Sequence, residues 1–197
     1  MATRASTPDP APAIQRTAWL QLSVVCFTEF VVWTGFGAIG TPPLRGLVPT
    51  QVAALTTTQV AALTTTQVAG LAATQVAALE TTDIAALTTT QAGALTTTQV
   101  AALGTAQLRG IETTDLAVLS TTQLRALGAT QLAALTTTQV GAITTTQVAA
   151  LTTTQIRGFD STQVSALTTT QLGALAATQV GALSTSQLRG LDTTDIA

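Results

Sequence analysis

An eight-residue repeat governs this sequence and leaves few folds open to it. The repeat, L-T-T-T-Q-V-A-A, starts at Leu47, occurs eighteen times in full, and ends with one further copy that lacks only its last residue. Its first residue is Leu in every copy except those that begin with Ile111, Ile143 and Phe159. Eight residues cannot bury an apolar face alone and must bury it against neighbouring units. The period therefore predicts a solenoid.

The fixed positions of each octad, numbered 1 to 8 from the apolar residue, favour a short helix. Positions 1, 4, 5 and 8 share one helical face, whereas a half-buried strand would constrain positions 1, 3, 5 and 7 alike. One continuous helix is a poor fit, because eight residues turn a helix through about 800° and would rotate the leucine stripe by about 80° per repeat. We therefore expect the helix to break once in every octad.

The break is predicted at position 2, which is mostly Thr, Ser, Asp or Gly and suits a helix N-cap. Gln follows three residues later and completes a capping box, while the apolar residues at positions 1 and 6 form a hydrophobic staple. Pro49 falls in the first helical turn, where proline is favoured. The fold class predicted is all-α, an α-solenoid of very short capped helices; the alternative is a β-solenoid.

A second period, of sixteen residues, lies within the first. With octads counted from zero at Leu47, position 7 is Gly or Arg in the odd octads from the fifth to the seventeenth and mostly Ala in the even ones. The acidic residues of the array all lie in even octads. We predict a 16-residue structural unit, a minimal helical hairpin in which even octads bury position 7 and odd octads expose it. Duplication of 16- or 32-residue blocks would leave the same pattern without a packing cause.

Four segments follow from composition. Residues 1–17 contain three prolines and read as a flexible tail. Residues 18–40 are strongly apolar and predict a membrane anchor or export signal, although Glu29 opposes both; the alternatives are an apolar cap on the solenoid or a misassigned start codon. Residues 41–46 form a linker, and residues 47–197 form the solenoid. A membrane-anchored or secreted location is slightly favoured over a cytoplasmic one.

Composition argues against several function classes. The chain has no His, Lys or Tyr, a single Cys, and only 8% charged residues. We therefore expect no catalysis, no cofactor, no metal and no disulfide framework. Its seven Arg are spread along a chain of net charge −2, so nucleic-acid binding through phosphate neutralisation is not expected.

The charged positions of the array are the candidate interaction surface. Its residues are four arginines at position 7: Arg109, Arg125, Arg157 and Arg189. Three of them precede an acidic residue by three positions, which predicts the local pairs Arg109–Glu112, Arg157–Asp160 and Arg189–Asp192. The Thr and Gln columns are expected to hydrogen-bond mainly inside the stack, but three Thr per octad exceed what capping needs, so some hydroxyls are expected to face outward.

The octad resembles the tandem Leu-Thr-x-x-Gln arrays of large bacterial surface or secreted proteins, over residues 47–197. Leu47, Pro49, Gln51 and Val52 also resemble the start of a TAL-effector repeat, but that unit is several times longer and its base-reading loop has no counterpart here. The first resemblance implies a structural spacer or a protein-interaction scaffold, with an unidentified protein partner or self-association. Ice binding or adhesion through a Thr-rich surface is one alternative, and a nucleic-acid-binding repeat array is another.

Overall fold

A computed structural model describes residues 44–191, which belong to one compact unit running from Pro42 to Ala197. The predictions for residues 1–17, for residues 18–40 and for the first residues of the linker lie outside this range. Between residues 44 and 191 no helix has the length and hydropathy needed to cross a membrane.

The described residues form a succession of short helices, with no strand among them, which confirms the all-α solenoid and leaves the β-solenoid unsupported. A 3-10 helix, Leu44–Gly46, precedes eighteen α-helices. The α-helices are, in chain order, α1 Pro49–Val52, α2 Thr57–Ala61, α3 Thr65–Gly70, α4 Ala73–Val76, α5 Thr81–Ala85, α6 Thr89–Ala94, α7 Thr97–Ala102, α8 Thr105–Gly110, α9 Thr113–Val118, α10 Thr121–Arg125, α11 Ala129–Ala133, α12 Thr137–Ala142, α13 Thr145–Ala150, α14 Thr153–Ile156, α15 Ser161–Ser165, α16 Thr169–Gly173, α17 Ala177–Val180 and α18 Thr185–Leu188.

The helices begin at the predicted caps. Thr136 is extended, with φ −72° and ψ 160°, and its hydroxyl accepts from the Gln139 N–H while the Gln139 side chain accepts from the Thr136 N–H. Where position 2 is Gly104 or Gly128 the first bond is absent, yet the glutamine still accepts the cap N–H. The glutamine half of the capping box is therefore the more constant half. Pro49 lies in the first turn of α1, as expected.

The core consists of positions 1 and 6, with the position-5 side chain between them. Position 6 is fully buried through most of the array, as at Val60, Val100 and Leu132, and position 1 is nearly as buried. Gln139 and Gln147 are only 3% and 2% exposed. A buried amide needs hydrogen-bond partners for both its donor and its acceptor groups.

Those partners come from the preceding turn of the solenoid. The Gln139 Nε2 donates to the Leu108 carbonyl at 2.8 Å and to the Ile111 carbonyl at 2.7 Å, which are 31 and 28 residues earlier. Gln75 makes the same two bonds to Leu44 and Leu47. The spacing recurs along the array, so one turn of the solenoid takes about 28–31 residues, between three and four octads.

The two-octad hairpin is wrong. The principal helix–helix packing joins each helix to the one three octads further on, as in α5 with α8 and α9 with α12. The physical reason is the extended backbone at positions 1 and 2, exemplified by Ile143 with φ −62° and ψ 133°, which carries the chain onward instead of reversing it. Burial of position 7 also ignores the parity, because Ala133 and Ala149 in even octads are exposed and Gly141 in an odd octad is half-buried.

Close approach between turns explains three of the glycines at position 8, which are Gly110, Gly158 and Gly190. A Cβ on Gly158 would lie 2.6 Å from the Ala129 carbonyl oxygen, three octads earlier at position 3. Gly110 and Gly190 meet Thr81 and Ser161 in the same way. These glycines allow successive turns of the solenoid to touch.

The solenoid also includes residues placed in the linker. Leu44 is buried, and its carbonyl accepts from the Gln75 Nε2 as a position-6 carbonyl does in later turns. The 3-10 helix to which it belongs packs against α3. The solenoid packing is therefore already present at Leu44.

Candidate interaction surface and buried carboxyls

The side chains of the four predicted surface arginines are exposed, but two of them bind neighbouring turns. The Nε of Arg109 donates to the Ala134 carbonyl at 2.9 Å, and the Nε of Arg157 donates to the Ala182 carbonyl at 3.0 Å. Each bond joins one octad to the octad three further along the chain. Arg109 and Arg157 therefore contribute to the stack as well as to the surface.

Three of the four arginines recur at a spacing close to the length of one turn. Arg125, Arg157 and Arg189 follow one another at intervals of 32 residues, slightly more than one turn. Arg109 precedes Arg125 by only 16 residues and so lies about half a turn away. We call Arg125, Arg157 and Arg189 the arginine stripe.

Two of the three predicted local ion pairs do not form among the described residues. Within residues 44–191 the carboxylates of Glu112 and Asp160 make no salt bridge with Arg109 or Arg157, because the arginines reach towards the following turn. Asp160 instead caps α15, accepting from the Gln163 N–H at 2.7 Å and from the Thr162 hydroxyl at 2.6 Å. Those two bonds lower the pKa of Asp160, the hydroxyl having the larger effect. Asp192 lies outside the described residues.

The threonine and glutamine side chains of the array differ in their exposure to solvent. Every described glutamine after α3 except Gln131 is buried, while position 4 is exposed in every described octad, as at Thr58, Thr138 and Thr170. The expectation that both columns bond inside the stack is therefore right for glutamine and wrong for most threonines. The outer surface is a regular array of hydroxyl and methyl groups.

Two octads of the described array replace the buried glutamine with aspartate. Asp83 and Asp115 are each 2% exposed, and burial is the largest cause that raises the pKa of both carboxyls. Asp83 still accepts from the Glu80 N–H at 3.1 Å. The Asp115 Oδ2 is shielded from solvent and has no hydrogen-bond partner within the described range.

The sequence marks these two aspartates as exceptions at position 5 without revealing what they face. Residues 28 and 31 positions before Asp115 are Leu87 and Ile84, whose counterparts elsewhere accept from a glutamine Nε2. An ionised carboxylate has only acceptors and cannot replace that amide. The two replacements can be read from the sequence, but the turn length needed to identify the facing carbonyls cannot.

The comparison with protein families agrees with this architecture. The ALTTAQ repeat model matches residues 36–73, 76–110, 108–145 and 140–177, which together cover more than half of the chain. The chain belongs to the ALTTAQ repeat family. Three of the matches begin at residues 76, 108 and 140, which are 32 residues or four octads apart. No curated protein and no solved structure matches this ALTTAQ array.

Proposed function

We propose that the ALTTAQ array is a non-catalytic structural spacer that also serves as a protein-interaction scaffold. The observation that supports this most directly is where its polar side chains lie and what they bind. The amide at position 5 is buried and bonded between turns, and the exterior repeats the same hydroxyl-bearing surface. Such a stack can be lengthened by whole repeats without changing its packing.

The spacer role predicts a distance that grows with repeat number. Two dyes would be attached to cysteines replacing the exposed Thr58 and Thr170 in a Cys26→Ser background. Insertion of 32 residues of the consensus repeat between them should add one layer of helices, about 8–10 Å along the axis. Fluorescence energy transfer measures the change, and an insertion of 32 residues that leaves the distance unaltered would refute a rigid spacer.

The scaffold role places the contact on the arginine stripe, through self-association or a second protein. Sedimentation velocity of the full chain should detect self-association that is lost when Arg125, Arg157 and Arg189 are all changed to Ala. Arg109→Ala is the matched control, because it removes the same kind of carbonyl bond as Arg157 but lies half a turn away. Equal loss in the control would assign the effect to stability instead of binding.

The exposed position-4 threonines support one second candidate, an adhesin-like or ice-binding surface. Ice binding by regular Thr ladders would need flat β-strands, and the described residues contain no strand. Thermal hysteresis of the full chain tests this candidate, and its loss on changing Thr58, Thr90 and Thr138 to Val would support it. We expect no DNA retention at any salt concentration, because the chain has net charge −2.

Attachment to a membrane through residues 18–40 stays a prediction, as does the resemblance to bacterial surface or secreted proteins. Removal of residues 18–40, followed by fractionation of the expressing cells, tests the anchor. The spacer and scaffold experiments do not depend on its outcome.

A further inference from the structure

The aspartates that replace the buried glutamine bring a carboxyl group to a position that holds an amide in the other octads. In a typical octad the Nε2 lies within hydrogen-bond distance of two carbonyl oxygens, as Gln147 does at 2.9 Å from Leu116 and 2.6 Å from Leu119. The carbonyls 31 and 28 residues before Asp115 belong to Ile84 and Leu87, and those before Asp83 belong to Val52 and Leu55. In both cases the repeat register leaves two carbonyls without the glutamine amide from which their counterparts accept.

The α9 octad also differs at its cap. In the other α-helices the position-5 side chain accepts from the cap N–H, and the Asp83 carboxylate does so too. No such bond joins Asp115 to Glu112 in the described structure. Asp115 therefore has neither the local bond of the capping box nor a donor for the preceding turn while it is ionised.

Few charged groups are present to offset an ionised Asp115. Helices α6 and α12, which pack against α9, contain no titratable side chain, and the charged neighbour is Glu112 of its own octad. Around α5, helix α2 has no charged residue, α8 contributes Arg109, and Glu80 adds a like charge to Asp83. The surroundings of both carboxyls thus disfavour a buried negative charge.

Protonation of the carboxyl supplies the missing hydrogen-bond donor with the least change to the structure. A neutral carboxyl has one O–H to donate to a backbone carbonyl, as the amide does in other octads. A hydrated cation needs more oxygen ligands and more room, whereas solvent does not reach the Asp115 Oδ2. We propose that Asp83 and Asp115 make this ALTTAQ array proton-sensitive, each carboxyl joining its turn to the preceding one when neutral and weakening that junction when ionised.

The sign of the pH effect follows from linkage. A carboxyl whose pKa is raised by folding stabilises the folded state fully below its unfolded pKa, and this stabilisation is lost as the pH rises through the folded pKa. For each carboxyl, every pH unit between the two pKa values changes the ratio of folded to unfolded protein by up to tenfold. The array should be most stable in mild acid, the reverse of a surface carboxylate that caps a helix, such as Asp160.

The test is urea unfolding of the full chain between pH 4 and pH 8, for the wild type and for the Asp83→Gln, Asp115→Gln double variant. Relative to this variant, the wild-type midpoint should fall as the pH rises. Gln147→Asp, which introduces the same substitution into an ordinary octad, should create a new pH dependence of the same sign. Parallel pH profiles for the wild type and the double variant would overturn the proposal.

Two further measurements identify the ligand as a proton. In carbon-detected NMR of the full chain, the Asp115 carboxyl should titrate at higher pH than the Asp160 carboxyl, and the same or a lower pH would refute the proposal. Unfolding at pH 8 should be insensitive to calcium chloride and sodium chloride at equal ionic strength. Saturable stabilisation by either cation, lost in the double variant, would replace the proton with a metal ion.

Discussion

Truncation of one buried glutamine tests whether position 5 holds successive turns together. Gln139→Ala removes three good hydrogen bonds, one from the Thr136 N–H at 2.9 Å and two to Leu108 and Ile111 in the preceding turn. Because a typical bond contributes about 0.5–1.5 kcal/mol net, the free energy of unfolding should fall by about 2–4 kcal/mol. Two buried carbonyls left without this donor would add to the cost.

Two matched variants separate the turn-to-turn bonds from the cap. Thr136→Ala removes the two bonds of the hydroxyl, which accepts from the Gln139 N–H and donates to the Gln139 Oε1, but leaves both bonds to the preceding turn, and should cost about 0.5–1 kcal/mol. Gln139→Glu keeps an acceptor for the cap N–H but offers no donor to the two carbonyls, so at neutral pH it should destabilise at least as much as Gln139→Ala. Urea unfolding followed by circular dichroism measures all three. If Gln139→Ala and Thr136→Ala cost the same, the glutamine acts only as a cap and the reasoning fails.

Other substitutions test the packing between turns and the charge of Asp160. Gly158→Ala should destabilise the array, because its Cβ would meet the Ala129 backbone. The Cβ of Gly173→Ala would have no atom within 4 Å, so this variant should stabilise α16 by about 0.5–1 kcal/mol. Thermal unfolding compares the two variants, and similar effects would contradict the close approach. Ala133→Arg and Ala149→Arg should change the unfolding free energy by less than about 0.5 kcal/mol, since both positions are exposed. A large loss of stability would support the prediction that even octads bury position 7. Stability contributed by Asp160 should be lost as the pH falls through its lowered pKa, and the difference between wild type and Asp160→Asn across an acid titration should shrink accordingly.

The elements of this fold were predictable because they depend on residues close in sequence. An N-cap at position 2 and a glutamine three residues later act within one turn of helix, so the pattern around Thr136 and Gln139 identifies where α12 begins. Similarly, the apolar residues at positions 1 and 6 identified the core. Local chemistry of this kind needs no knowledge of the rest of the chain.

The packing partner of each helix was not predictable in the same way. A repeat of near-identical octads looks the same when it is shifted by two, three or four units, so the sequence cannot say which octad lies against which. The choice depends on the backbone angles at positions 1 and 2, which set how far the chain turns per octad. The 16-residue parity suggested a shift of two, and the structure shows a shift of three.

The candidate site was predicted less well, for two physical reasons. Three consecutive threonines cannot be distinguished by composition, although one caps the helix and another is always exposed. Arg109 was paired with Glu112 because the two are close in sequence, whereas its Nε reaches a carbonyl 25 residues later. Partners that lie one turn away become visible only when the turn length is known.

The glutamine bonds between turns join residues at a fixed sequence separation, and this limits the contact order of the array. Nearly every bond between turns joins residues 25–31 apart, however many octads separate them from either end. In an ordinary domain the sequence distance between partners grows with chain length, and folding slows as it grows. Here a new turn has all its partners as soon as about thirty more residues have been synthesised. The array can therefore fold progressively behind the ribosome, and its length adds no topological delay.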